Sequence, residues 1–75
     1  MTAQQDKGRV ANQVRRLREA AGLTQAELGA RVGATRQTIN AIEAEKYAPS
    51  LELAFRLARN FRLPFEQVFQ FEDPA

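Results

Sequence analysis

The sequence predicts an all-α fold of five short helices. Three observations predict it. Apolar residues recur at steps of three and four along most of the chain, as in Val10, Val14, Leu17 and Ala21, or Leu51, Ala54, Leu57, Ala58 and Phe61. Helix-starting residues stand before these stripes: Thr24 with Glu27 three positions later, Thr35, and Ser50 followed by Glu52. No stretch alternates apolar and polar residues over a useful strand length.

The elements follow in order. Residues 1–7 show no periodicity and read as a flexible N-terminal arm, ahead of a domain over 8–69 and an acidic C-terminal tail over 70–75. The first helix begins at about Gly8, carries Val10, Val14, Leu17 and Ala21 on one face, and stops at Gly22, where Leu23 can make the apolar contact of a helix cap. Thr24 and Glu27 form a capping box that opens the second helix, which ends at Gly33. Thr35 caps the third, which runs to about Ala44, and residues 45–49 form a loop. Ser50 caps the fourth. Pro64 opens a short fifth helix holding Phe65, Val68 and Phe69, since proline is accepted in a first turn where its missing N–H breaks no bond. The expected core is Val14, Leu17, Leu23, Leu28, Val32, Ile39, Ile42, Leu51, Leu57, Ala58, Phe61, Phe65 and Val68.

The most informative stretch is residues 25–44. Leu28 and Val32 belong to one helix, Ile39 and Ile42 to the next, and the apolar phase changes across Gly33, which suits a turn of positive φ. Gly29 leaves room for the two helices to cross closely. The pattern is a helix-turn-helix. Its second helix turns Arg36, Gln37 and Asn40 away from the apolar anchors. A short helix with such side chains facing outward can enter a DNA major groove, where Arg matches guanine O6 and N7, Gln matches adenine N6 and N7, and the methyl of Ala41 can meet a thymine methyl. By base rate, a surface Arg is a solvated charge. Its place at the start of a capped helix after this turn favours base contact for Arg36, with Gln37 next and Asn40 evenly balanced between base and phosphate. Arg15, Arg16 and Arg31 read as solvated faces.

Composition narrows the chemistry. At 75 residues the chain makes one domain. It has no Cys and no His, so disulfides, thiolate or His-type zinc sites and imidazole catalysis are excluded. Thr24, Thr35 and Ser50 have no base to activate them and are explained as caps. No enzyme activity, cofactor or metal is expected. No apolar run approaches the roughly 18 residues of a membrane span, and the polar start is unlike a signal peptide, so a soluble, cytoplasmic protein is expected. The charge is uneven. Up to Arg62 the chain holds eleven Lys and Arg against six acids, a net +5, while Glu66, Glu72 and Asp73 beyond it make −3. A basic body suits a polyanion partner.

These residues resemble a known family. The string LTQAELGARVGATRQTINAIEAEKYAPSLELAFRLA is similar to the DNA-binding domain of phage repressors and Cro proteins, the XRE-type helix-turn-helix family, and especially to its short stand-alone regulators. The likeness covers about residues 10–69 and rests on Gln25, Glu27-Leu28-Gly29, Gly33, Ile39 to Glu43, and Lys46, Tyr47, Pro49, Ser50 and Leu51. It implies the five-helix lambda-repressor-like fold. It also implies base contacts from Arg36, Gln37, Asn40 and Ala41, and phosphate contacts from Gln25, Thr35, Lys46 and Tyr47. Arg18 is expected to pair with Glu43. Two positions depart from the family, which often has Gly in place of Glu45 and Arg62. A non-Gly residue in the left-handed conformation used there costs about 1 kcal/mol; a different loop geometry is the other option. An acid at position 45 repels phosphate, so that part of the loop is expected to point away.

Five Phe follow residue 54, more than the core needs. Phe55, Phe69 and Phe71 are assigned to a twofold dimer surface, the alternative for Phe69 being that it closes the core. The resulting expectation is a sequence-specific regulator of transcription that binds double-stranded DNA. It acts as a homodimeric repressor on a palindromic operator, by steric occlusion. An antitoxin with a toxin partner, a restriction–modification controller, or a protein-interaction module that reads no DNA are the other readings.

Overall fold

The computed structural model describes residues 8–74. The expected arm over 1–7 lies outside them. The order is β1 (Arg9–Asn12), α1 (Val14–Ala20), α2 (Gln25–Val32), α3 (Arg36–Glu43), α4 (Leu51–Phe61), α5 (Phe65–Val68) and β2 (Phe69–Glu72). All five expected helices are present. None is long and apolar enough to cross a membrane.

The helix starts follow their capping chemistry. Thr24 Oγ1 accepts from the Glu27 N–H at 3.0 Å while Glu27 Oε1 accepts from the Thr24 N–H at 2.8 Å, a complete capping box. Thr35 Oγ1 accepts from the Thr38 N–H and Ser50 Oγ from the Leu53 N–H. Four helices end alike. An N–H just past each end reaches back five residues, from Leu23 to Arg18, Ala34 to Gly29, Lys46 to Ala41 and Leu63 to Ala58. The residue before each of these donors has positive φ. Two of them are glycines, Gly22 and Gly33, and two are not: Glu45 (φ 60°) and Arg62 (φ 57°) keep the left-handed geometry without glycine.

The core is built from Val14, Leu28, Val32, Ile39, Ile42, Ala54, Leu57, Ala58, Val68 and Phe69, with Leu17, Leu23, Phe61 and Phe65 partly buried against it. Gly29 serves the turn more than a helix crossing. A Cβ there would lie 2.6 Å from the Ala34 carbonyl oxygen, so only glycine lets the turn fold back onto α2.

Four expectations are corrected. First, the chain contains a two-stranded antiparallel sheet, in which Arg9 faces Glu72, Val10 faces Phe71, Ala11 faces Gln70 and Asn12 faces Phe69. Second, α1 therefore begins at Val14, not near Gly8. Val10 belongs to a strand, and the Asn12 side chain accepts from the Val14 N–H at 3.0 Å to start the helix. Third, residues 69–72 form a strand where a helix end and a tail are expected. Fourth, Leu51 is 67% exposed, because the first turn of α4 projects beyond the core that Ala54, Leu57 and Ala58 reach.

Candidate nucleic-acid interface

The second helix of the motif is held from beneath and from both ends. Ile39 and Ile42 are fully buried under α3. Thr35 caps its start. At its far end the Asn12 Nδ2 donates to the Ile42 carbonyl at 2.9 Å. This leaves Arg36 and Gln37, on the first turn, exposed, with Asn40 exposed one turn further and Ala41 half-buried beside it. Among the described residues, Arg36 and Lys46 enter no ion pair. A guanidinium and an amide at the open end of a rigid helix form a donor and acceptor set that can match base edges.

Behind α3 runs a chain of polar contacts that links three helices. Arg18 on α1 grips Glu43 at the end of α3 with two hydrogen bonds, Nε to Oε2 at 2.6 Å and Nη2 to Oε1 at 3.1 Å, and its third nitrogen donates to the Leu23 carbonyl at 2.8 Å. The two side chains are 12% and 4% exposed. Glu43 holds the Arg18 guanidinium's pKa above its ordinary value, mainly by hydrogen bonding, against the opposing effect of burial. Gln25, the first residue of α2, donates to Glu43 Oε1 at 3.1 Å and accepts from Asn40 Nδ2 at 3.4 Å. The sequence reading assigns Gln25 to phosphate and Asn40 to bases. The geometry ties both amides to the framework as well, so each keeps only part of its hydrogen-bonding capacity for a ligand.

Thr35 is similarly engaged. Its hydroxyl caps α3 and shares a hydrogen bond of 2.9 Å with Thr38. One of its three hydrogen-bonding positions is left. Lys46 and the half-exposed Tyr47 lie on the α3–α4 loop. The carboxylate of Glu45 is turned to Arg9 on β1 at 2.8 Å.

Arg15 has the exposed side chain expected of a solvated face, pairs with Glu19, and borders a polar recess of about 200 Å³ together with Gln25, Asn40 and Ala44. The sequence reading missed one contributor here. Asn12, which pins both α1 and α3, had a readable signal: an Asn two residues before a helix is a common local acceptor.

The three Phe assigned to a dimer surface separate. Phe69 is corrected: it is 5% exposed and belongs to the core, because its place in β2 directs its ring inward against Phe65, 5.4 Å between ring centres. Phe71 is 60% exposed. Phe55 is 49% exposed and packs on Phe65 at 5.1 Å. Val10, Leu51, Phe65 and Phe71 line an apolar groove of about 430 Å³ on the face formed by the sheet, α4 and α5.

Comparison with known proteins agrees with this architecture. A family model described as helix-turn-helix matches residues 14–68. An uncharacterized HTH-type transcriptional regulator of Methanocaldococcus jannaschii is 45% identical over 62 residues, 83% of this chain and 94% of the relative. One from Bacillus subtilis has the same identity and coverage. Among solved structures, a chain of the P22 c2 repressor, crystallised with a synthetic operator, superposes with a TM-score of 0.70 at 24% identity, over 72% of this chain and 82% of that crystallised chain. This chain belongs to the XRE-type helix-turn-helix family.

Proposed function

We propose that this protein is a sequence-specific, double-stranded DNA-binding regulator of transcription. In this reading it acts in the cytoplasm as a homodimeric repressor that places α3 in the major groove of a palindromic operator. The observation that carries the reading is the position of Arg36 and Gln37. They stand exposed on a helix whose opposite face is locked by the fully buried Ile39 and Ile42. Arg36 and Gln37 read base edges, with Asn40 and Ala41 over flanking positions. Gln25, Thr35, Lys46 and Tyr47 set the register through phosphates, which carry no sequence information themselves. The relatives' names as transcriptional regulators support the same role.

One short helix reads few base pairs. Two copies related by a dyad read two half-sites about 34 Å apart. The apolar groove bordered by Phe71, Leu51 and Val10, with Phe55 nearby, is the surface we assign to that dimer. Selection of bound sites from a random duplex pool tests both claims together. A palindrome is the expected product. Arg36→Ala should relax the preference at one position of each half-site, while Gln25→Ala should weaken binding across all sequences. Failure of the pool to enrich any sequence, with a stable heteromer of this chain and another protein in its place, would favour the interaction-module reading.

A further inference from the structure

We propose that Arg9 is a positioning residue for DNA binding: by pairing with Glu45 and fastening it to the sheet, it lets the Lys46–Tyr47 loop approach phosphate. This inference rests on the DNA-binding reading. Glu45 adjoins the two loop residues assigned to phosphate and stands in a left-handed conformation that places a carboxylate where glycine would place nothing. An unscreened acid beside Lys46 opposes the approach of a polyanion. The structure deals with it by geometry. Arg9 Nη1 lies 2.8 Å from Glu45 Oε1, and Arg9 Nε lies 2.7 Å from Glu72 Oε1 on the neighbouring strand.

The two halves of this clamp come from distant parts of the chain. Arg9 and Glu72 are register partners in the sheet, and the hydrogen bond from Arg9 Nε to Glu72 Oε1 orients the guanidinium that meets Glu45. Gly8 makes the pairing possible, since a Cβ there would lie 2.3 Å from the Glu72 carbonyl oxygen. On the loop side, the Lys46 N–H is bonded to the Ala41 carbonyl at 3.0 Å and the Glu45 N–H to the Ile42 carbonyl at 2.9 Å, so the loop backbone moves with α3. The sheet thereby serves the recognition helix through one arginine.

A binding cycle tests this. Affinity for the duplex enriched by the wild type is measured by fluorescence anisotropy for the wild type, Arg9→Gln, Glu45→Gly and the double variant, each below its melting temperature. Arg9→Gln should weaken binding about threefold in the wild-type background, and should have no effect once Glu45→Gly has removed the acid. Equal weakening in both backgrounds, with a salt dependence reduced by about 0.9 in log–log slope, would make Arg9 a direct phosphate ligand and overturn the proposal. So would wild-type affinity for Arg9→Gln alone. A wild type that binds no duplex refutes the DNA reading itself, a separate result from either of these.

Discussion

Replacing Glu43 with alanine should lower the melting temperature of this protein markedly. The substitution leaves the Arg18 guanidinium, 12% exposed, with only the Leu23 carbonyl at 2.8 Å and the exposed Glu19 carboxylate at 4.0 Å as partners. It also removes the acceptor of the Gln25 amide. Breaking one side of a buried, bidentate pair costs about 3–5 kcal/mol, most of it the penalty of the stranded charge. A domain of this size has about 4–11 kcal/mol of stability in all. Each kcal/mol shifts Tm by about 4–8 °C for such a chain, so a fall of at least about 12 °C is expected. Thermal and urea unfolding followed by circular dichroism measure it. Two companions separate charge from shape. Glu43→Gln, which keeps an acceptor for Gln25, should fall between wild type and alanine. The double variant Arg18→Met with Glu43→Leu should recover much of the loss, because the stranded charge is gone. A Tm within about 3 °C of wild type for Glu43→Ala would refute the argument that this pair is energetically buried.

Four further outcomes are expected. Gly29→Ala drives a Cβ to 2.6 Å from the Ala34 carbonyl oxygen and should cost about 1–3 kcal/mol in urea unfolding; a neutral result would mean that the turn can yield. Arg62→Gly should raise Tm by a few degrees, since relief of the left-handed strain at φ 57° exceeds the entropy lost by glycine by about 0.5 kcal/mol; a lower Tm would contradict it. The backbone and hydroxyl of Thr24 hold the Glu27 carboxyl below its ordinary value of 4.5, so the stability it contributes is fully present above that pH and is lost as the pH falls through the lowered folded value. Glu27→Gln should therefore flatten the acid limb of the stability profile below pH 4.5, and an unchanged limb would count against the capping box. Phe71→Glu, at a side chain 60% exposed, should halve the mass seen in sedimentation without lowering monomer stability; an unchanged mass would move the dimer surface elsewhere.

What could be read from residues alone is what short-range chemistry dictates. Thr24 with Glu27, Thr35 and Ser50 announce helix starts because a cap satisfies donors only two or three residues away. Ile39 and Ile42 announce the buried side of α3, and so the exposed side of Arg36 and Gln37, because helical spacing alone orients them. The likeness to a family added Arg18 with Glu43, a contact spanning 25 residues.

Contacts that join the ends of the chain were decided only by tertiary structure. Val10 fits the stripe of α1 as well as it fits a strand. The choice falls to a partner at Phe71, 61 residues away; the alternation of Phe69, Gln70, Phe71 and Glu72 suits a short strand, but nothing local encodes what that strand pairs with. The same sheet sets Phe69 against the core and carries Phe71, two residues on and on the same face, past the core's edge, which composition could not distinguish. It also brings Arg9 to Glu45, so an acid that sequence reasoning could only expect to point away from DNA has a definite partner. Short-range propensity set where the helices begin and which side of each is apolar. Long-range pairing set which residues remained at the surface to meet a ligand, because burial depends on what the rest of the chain places against each face.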